Sequence, residues 1–253
     1  MAIDHNSPAL AESYVLCDKK YIVTPKSFIK RTLRRHEWQT AWNSRLIIPS
    51  QCWPQRWRTD AANLAFIAAN TTIPVPRVNF AFEDDGAFYF STRMVDGVSM
   101  RSLPDDKKAV VQADLDGYIA QLRALKRDRP GVPGSDLLCP PIRVYEEPEV
   151  TGNGGWNAHC CFRLKPGWRP TPGEEYVFCH NDLGRHNILV NPETLKVMAV
   201  IDWEYGGFWP AWFEGHFWKR DGPSGAVGDE ECDVKRLRAW LEENCDPVPM
   251  PPL

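Results

Sequence analysis

The strongest constraint on this chain is an ordered set of three oxygen-bearing side chains late in the sequence. His180-Asn181-Asp182-Leu183-Gly184-Arg185-His186-Asn187 sets a carboxylate ahead of a carboxamide, and Ile201-Asp202-Trp203-Glu204-Tyr205 adds a second carboxylate after an apolar run. Phosphoryl transfer uses these three groups on one side of a cleft. One carboxylate faces the incoming hydroxyl, while an amide oxygen and a second carboxylate hold Mg²⁺ against the phosphates. The spacing lets them meet. Tyr176–Cys179 reads as a short buried strand that delivers His180 and Asp182 to its end. Ile188–Val190 and Lys196–Ile201 are two further β-branched runs flanking the turn Asn191-Pro192-Glu193-Thr194. A hairpin of that length returns Asp202 beside Asn187. A single Asp is usually a surface or cap residue; an ordered set joined by a hairpin points to a site.

With 253 residues the chain suits one large domain or two small lobes sharing a cleft, and 43% apolar content is ample for a core. No segment reaches the length of a transmembrane span, and Met1–Pro8 lacks the basic and apolar regions of a signal peptide. The eight cysteines are scattered without a C-x-x-C pair, which predicts reduced thiols, no zinc and a cytoplasmic protein. The net charge of −3 conceals an asymmetry: between Lys19 and Arg58 ten basic residues face Glu37 alone. Trp38, Trp42, Trp53 and Trp57 are interleaved with them. This composition suits a surface for phosphates and exposed bases, or equally a solvated basic face over a tryptophan core.

Along the chain, Tyr21–Val23, Ser27–Lys30 and Leu46–Ile48 read as strands, and Asp60–Ala69 as a helix ended by Pro74 and Pro76. Val78–Phe82 and Phe88–Met94 alternate around Glu83-Asp84-Asp85-Gly86, a hairpin pattern. Val111, Leu115, Tyr118, Leu122 and Leu125 make Asp105–Lys126 a long amphipathic helix. Residues 127–174 read as loop, the aromatic run 206–218 as core packing, and Asp233–Glu243 as a last helix.

The order H-x-D-x-x-x-x-N is that of a kinase catalytic loop, and the sequence resembles the aminoglycoside phosphotransferase and choline kinase-like superfamily, in particular its fungal members. The resemblance rests on His180-Asn181-Asp182-Leu183, Asn187-Ile188-Leu189-Val190, Ile201–Pro210 and Thr71–Pro76, and spans roughly residues 60–220. It implies an α+β, bilobal protein-kinase-like fold. A small β-rich lobe with one helix over residues 1–95 would precede a larger, mainly helical catalytic lobe over 96–253. It also implies ATP and Mg²⁺ as cofactors, with Asp182 as catalytic base and Asn187 and Asp202 as metal ligands. The N-terminal lobe departs from the pattern, since no glycine precedes Gly86 and no glycine-rich loop can cover phosphates. The strand lysine would be Lys30 and its helical acidic partner Asp60, although Lys30 reads equally as a solvated charge.

Three functions fit. The first is ATP- and Mg²⁺-dependent phosphate transfer to the hydroxyl of a small molecule. His180 and Glu204 would line the substrate side, Glu204 either binding an acceptor amine or pairing with an Arg. The second keeps the fold and discards ATP: Arg31, Arg34 and Arg35 would bind tRNA, and the acidic cluster an arginyl group. Such an aminoacyl-tRNA-dependent acyl transferase would be akin in its requirements to the arginine-containing cyclodipeptide synthases of fungal secondary metabolism. The third is a non-catalytic pseudokinase.

Overall fold

The computed structural model describes residues 12–16, 18–145 and 161–249. The N-terminal lobe is an antiparallel sheet backed by one helix. Its elements are β1 (Glu12–Leu16), β2 (Lys19–Val23), β3 (Ser27–Thr32), α1 (Trp53–Asn70), β4 (Val78–Asp84) and β5 (Ala87–Arg93), with sheet order β1-β2-β3-β5-β4. The β4–β5 hairpin turns at Asp85 and Gly86, with φ of 45° and 66°, the two successive left-handed residues that a tight hairpin needs. On β3, Lys30 lies opposite Tyr21 of β2 and Phe90 of β5.

Helix α1 starts at Trp53, well before the expected Asp60. Pro54 in its first turn has no N–H to leave unbonded, and the early turns bury Trp53 and Trp57 together with Arg56. Trp53, Trp57, Leu64 and Ile67 are buried in one cluster with Phe88 and Phe90 of β5. Leu46–Ile48 is not a strand: Leu46 makes a single bridge to Thr40, and both Leu46 and Ile48 are exposed.

The second lobe holds β6 (Val98–Ser99), α2 (Asp105–Ala124), β7 (Lys126–Arg127), β8 (Leu137–Leu138), β9 (Phe162–Leu164), β10 (Tyr176–Cys179), β11 (Ile188–Val190), β12 (Val197–Val200), β13 (Gly207–Pro210), α3 (Val234–Asn244) and β14 (Cys245–Pro247). Helix α2 buries Val111, Leu115, Ile119 and Leu122, so Ile119 takes the inward place expected of Tyr118. Three small sheets lie with these helices, and β10 runs between β13 and β7 at the centre of one of them. The segment expected as loop contributes β7, β8 and β9, strands too short to show a period; residues 146–160 of it lie outside the described residues. The aromatic run packs inward as expected, with Trp209, Phe213 and Trp218 buried. Among the described residues no helix is long and apolar enough to cross a membrane.

The expectation of reduced thiols fails at Cys52, which is disulfide-bonded. It sits at the start of α1, buried in a cluster with Cys139 and Cys161, so cysteines far apart in sequence converge there. Cys139, Cys161, Cys179 and Cys245 are buried thiols outside any disulfide.

Within the N-terminal lobe, Trp57 of α1 is 1% exposed and packs on Phe88 of β5. Trp57→Ala is expected to remove about 3–5 kcal/mol of stability. Urea unfolding followed by circular dichroism checks this as a lower midpoint at unchanged slope.

Candidate active site

Each site residue is placed by backbone geometry that its neighbours enforce. Strand β10 ends at Cys179, and the chain then bends through Asn181, whose φ is 69°. That left-handed residue is held by its own amide, which donates to Tyr205 O at 2.9 Å. His180 is wholly buried against the Trp203 ring. Its Nδ1 accepts from the Asp182 N–H at 3.2 Å, which leaves Nε2 to donate to Ile201 O at 3.0 Å. Burial lowers its pKa to about 4, so it is a neutral brace between the two acidic segments.

Asp182 and Asn187 are joined directly. The Asn187 amide donates to Asp182 O at 2.9 Å and to Asp182 Oδ2 at 3.1 Å. The hairpin brings Asp202 to the same place: β11 and β12 pair with Ile188 opposite Val200, and Ile201 N–H donates to Asn187 O at 3.0 Å. Asp202 itself adopts φ 60°, a costly conformation for an aspartate, and one that recurs where a side chain must be aimed. Burial raises the Asp182 carboxyl to about 7, and the Asp202 and Glu204 charges add to the rise.

Lys30 joins the two lobes. Its ammonium donates to Asp202 Oδ1 and lies 3.6 Å from Asp60 Oδ2. Burial works against its charge, but Asp202 and Asp60 hold its pKa above the ordinary lysine range. Burial likewise opposes ionisation of Asp202, yet Lys30 keeps that carboxyl below its usual range. Asp60 is pushed up by burial, to about 7, against the pull of Lys30. Asp60 also accepts the Trp203 N–H at 3.1 Å, and Asn63, one turn along α1, donates to Trp203 O and Gly206 O at 2.8 Å each. Helix α1 is thereby fastened to the segment that carries Asp202.

A cavity of about 240 Å³ opens between the lobes beside this cluster. Phe28, Leu64, Phe90, Leu189 and Ile201 line it together with Lys30, Asp60 and Asp202. An apolar slot ending in paired charges suits a flat base with a charged tail.

The remaining candidates divide. Glu204 has a buried Oε2 without a hydrogen-bond partner. Arg31 is buried and bidentate to Glu37 at 2.6 and 2.7 Å, so its guanidinium does not face solvent. Arg34 bonds Asp85 and the Tyr89 hydroxyl at 3.0 Å. Arg35 alone of the three is exposed, with its guanidinium over Trp38. Two of the three cations assigned to RNA are thus already spent on the fold.

Sequence reasoning missed three contributors. Glu214, buried in the aromatic run, accepts from the N–H groups of His180 and Asn181, the latter at 3.3 Å. Arg143, also buried, donates to Asn181 O at 3.1 Å while bidentate to Asp233. Neither sits in a motif. Lys19 begins β2 where a glycine loop would lie, with its ammonium 3.5 Å from the Trp53 ring centroid. Trp53 Nε1–H in turn donates to Asp18 Oδ2 at 2.6 Å, pinning the hairpin tip to α1. The Asp-Lys pair after the first strand was the available signal.

The titrations set a pH dependence. Asp182, Asp60 and Glu214 are each raised by burial to about 7, so the folded chain holds protons that the unfolded chain has lost above about pH 4. The stability they contribute is full below that pH and is lost as pH rises through 7. The melting temperature is expected to fall from pH 5 to pH 8, and Asp182→Asn to fall less, by on the order of 5 °C. Calorimetric scans of both proteins across that range check this.

A family model described as the phosphotransferase enzyme family matches residues 160–218, the stretch that contains Asp182, Asn187 and Asp202. Among solved structures, aminoglycoside phosphotransferase APH(4)-Ia superposes with a TM-score of 0.51 at 13% identity, covering 93% of this chain and 78% of that one. An aminoglycoside-3'-phosphotransferase of type VIII gives a TM-score of 0.49 at 19% identity, covering 79% and 74%. No curated protein matches the chain. The chain thus carries a segment that matches the phosphotransferase enzyme family, within a bilobal, kinase-like fold like that of aminoglycoside phosphotransferase APH(4)-Ia.

Proposed function

We propose that the protein transfers the γ-phosphate of ATP to a hydroxyl of a small molecule, in a Mg²⁺-dependent reaction between the lobes 1–95 and 96–253. The observation that carries this reading is the convergence of Asp182, Asn187 and Asp202, with Lys30 and Asp60 paired behind them.

The donor set fits Mg²⁺, which takes one or two protein oxygens and completes its shell with phosphates and water. Asn187 spends its N–H groups on Asp182, which leaves Oδ1 for a cation; Asp202 adds a carboxylate that Lys30 keeps ionised. When bound, the ion neutralises charge on the phosphates. Lys30 would reach the phosphates from the adjoining side, and Asp60 fixes where its ammonium sits. The interlobe cavity would take the base.

Asp182 positions the acceptor hydroxyl and would take its proton on Oδ1 or Oδ2 as the new phosphorus–oxygen bond forms, the bond from the γ-phosphorus to the bridging oxygen breaks and ADP leaves with that electron pair. With a pKa near 7 it divides between acceptor and acid forms at neutral pH, the condition under which proton transfer is most effective. Asn187 holds one of its oxygens, and His180 holds its backbone N–H. The reaction is assigned to the cytoplasm, the compartment that supplies ATP. Arg31 and Arg34, being engaged within the lobe, give the tRNA-dependent alternative little to stand on.

Asp182→Asn keeps the shape and removes the base. Its turnover is expected to fall about 10²–10⁴-fold. The assay is ³¹P NMR of ATP consumption with a metabolite extract as acceptor pool; equal rates in variant and parent would refute the role. Asp202→Ala is expected to abolish the rise in melting temperature that Mg-ATP gives the parent, and scanning fluorimetry reads this directly.

A further inference from the structure

Four cationic side chains are buried among the described residues: Arg31, Arg56, Lys108 and Arg143. Three have carboxylates at hydrogen-bond distance: Arg31 with Glu37 at 2.6 Å, Lys108 with Asp105 and Asp221 at 3.0 Å, and Arg143 with Asp233 at 2.8 Å. Arg56 has none. It is 6% exposed, and its Nε–H is sealed from solvent without an acceptor. Aromatic rings flank it, Trp53 at 5.2 Å, Tyr205 at 5.0 Å and Tyr145 at 5.8 Å from the ring centroids, and the Glu204 charge and the Tyr145 hydroxyl act on it from nearby. Cation–π contacts offset part of the desolvation, but a guanidinium keeps five N–H donors that rings do not satisfy.

The position is informative. Arg56 lies one helical turn before Asp60 on α1, on the face that meets the Asp202 segment. Tyr205, whose ring flanks it, is in that segment, and so is Glu204 with its unpartnered Oε2. A guanidinium with no carboxylate at ion-pair distance and a carboxylate oxygen without a donor thus lie near each other beside the Asp202 segment, each with hydrogen-bonding capacity left over. We propose that Arg56 is the docking point for an acidic group of the acceptor, a carboxylate or a phosphate ester, with Glu204 taking a hydroxyl or ammonium of the same molecule. The acceptor is then an anion or zwitterion, where a polycationic sugar would be repelled by Arg56. The word acceptor rests on the phosphotransferase reading; the anion site does not.

The test uses the full chain in chloride buffer and two probes, inorganic phosphate and sodium lactate, followed by isothermal titration and melting temperature. At least one probe is expected to bind the parent, and Arg56→Gln to weaken that binding tenfold or more, the usual loss of a charge-assisted bidentate contact. Binding of phosphate alone assigns a phosphate ester; binding of lactate assigns a carboxylate. If Arg56→Gln fails to fold, Arg56→Lys and the Arg56 Nε–H resonance of the parent serve instead, the resonance shifting as probe is added. No binding of either probe, equal binding by Arg56→Gln, or an unmoved resonance overturns the proposal. Mg-ATP is titrated in parallel. A parent that ignores Mg-ATP but binds an anion through Arg56 would lose the phosphotransferase reading and keep this one.

Discussion

The Lys30 ammonium, shared between Asp202 and Asp60, is the contact on which the rest of the site depends. One cation from β3, one carboxylate from α1 and one from the loop after β12 meet there, so a single point ties the sheet, the helix and the second lobe. A buried carboxylate pair would repel without that charge, and the lysine would be costly without either partner. Asp60 passes the constraint on by accepting the Trp203 N–H, and Asn63 on the next turn fixes Trp203 and Gly206. The left-handed conformation of Asp202 is affordable because its neighbours are held on both sides.

A second frame holds the other acid. Asp182 lies in a loop whose backbone is gripped from below by Glu214 and Arg143 and from the side by His180. These residues touch N–H and C=O groups of the loop, leaving the Asp182 and Asn187 side chains to face each other. Burial then does chemical work: it lifts Asp182 toward neutrality, while Lys30 holds Asp202 ionised. Two aspartates of the same reference pKa are driven apart by environment, the condition that the proposed roles in proton transfer and charge binding call for.

Much of this was legible before any coordinates. The hairpin from Ile188 to Ile201 follows from two β-branched runs and an Asn-Pro turn, and it fixes Asp202 beside Asn187. Lys30 and Asp60 were nameable only through the family resemblance, since nothing local marked them. What the sequence concealed were groups whose partners lie far along the chain. Glu214 reads as one more residue in an aromatic run, and Arg143 as a charge in a loop. Arg31 looked like part of a basic face because Glu37, its partner, was counted only as a lone opposing charge. The start of α1 was hidden because its first turns bury tryptophans beside arginines, which blurs the period. Cys52 carried no C-x-x-C spacing to announce its disulfide.

The central claim is that Asn187 and Asp202 hold a divalent ion only when a nucleotide completes its shell. Mn²⁺ in place of Mg²⁺ makes this visible by electron paramagnetic resonance, since bound Mn²⁺ loses its free-ion signal. With ATP present, the account predicts tight Mn²⁺ binding by the parent that is lost in both Asn187→Ala and Asp202→Ala. Mn²⁺–ATP binding that both variants retain in full would contradict it.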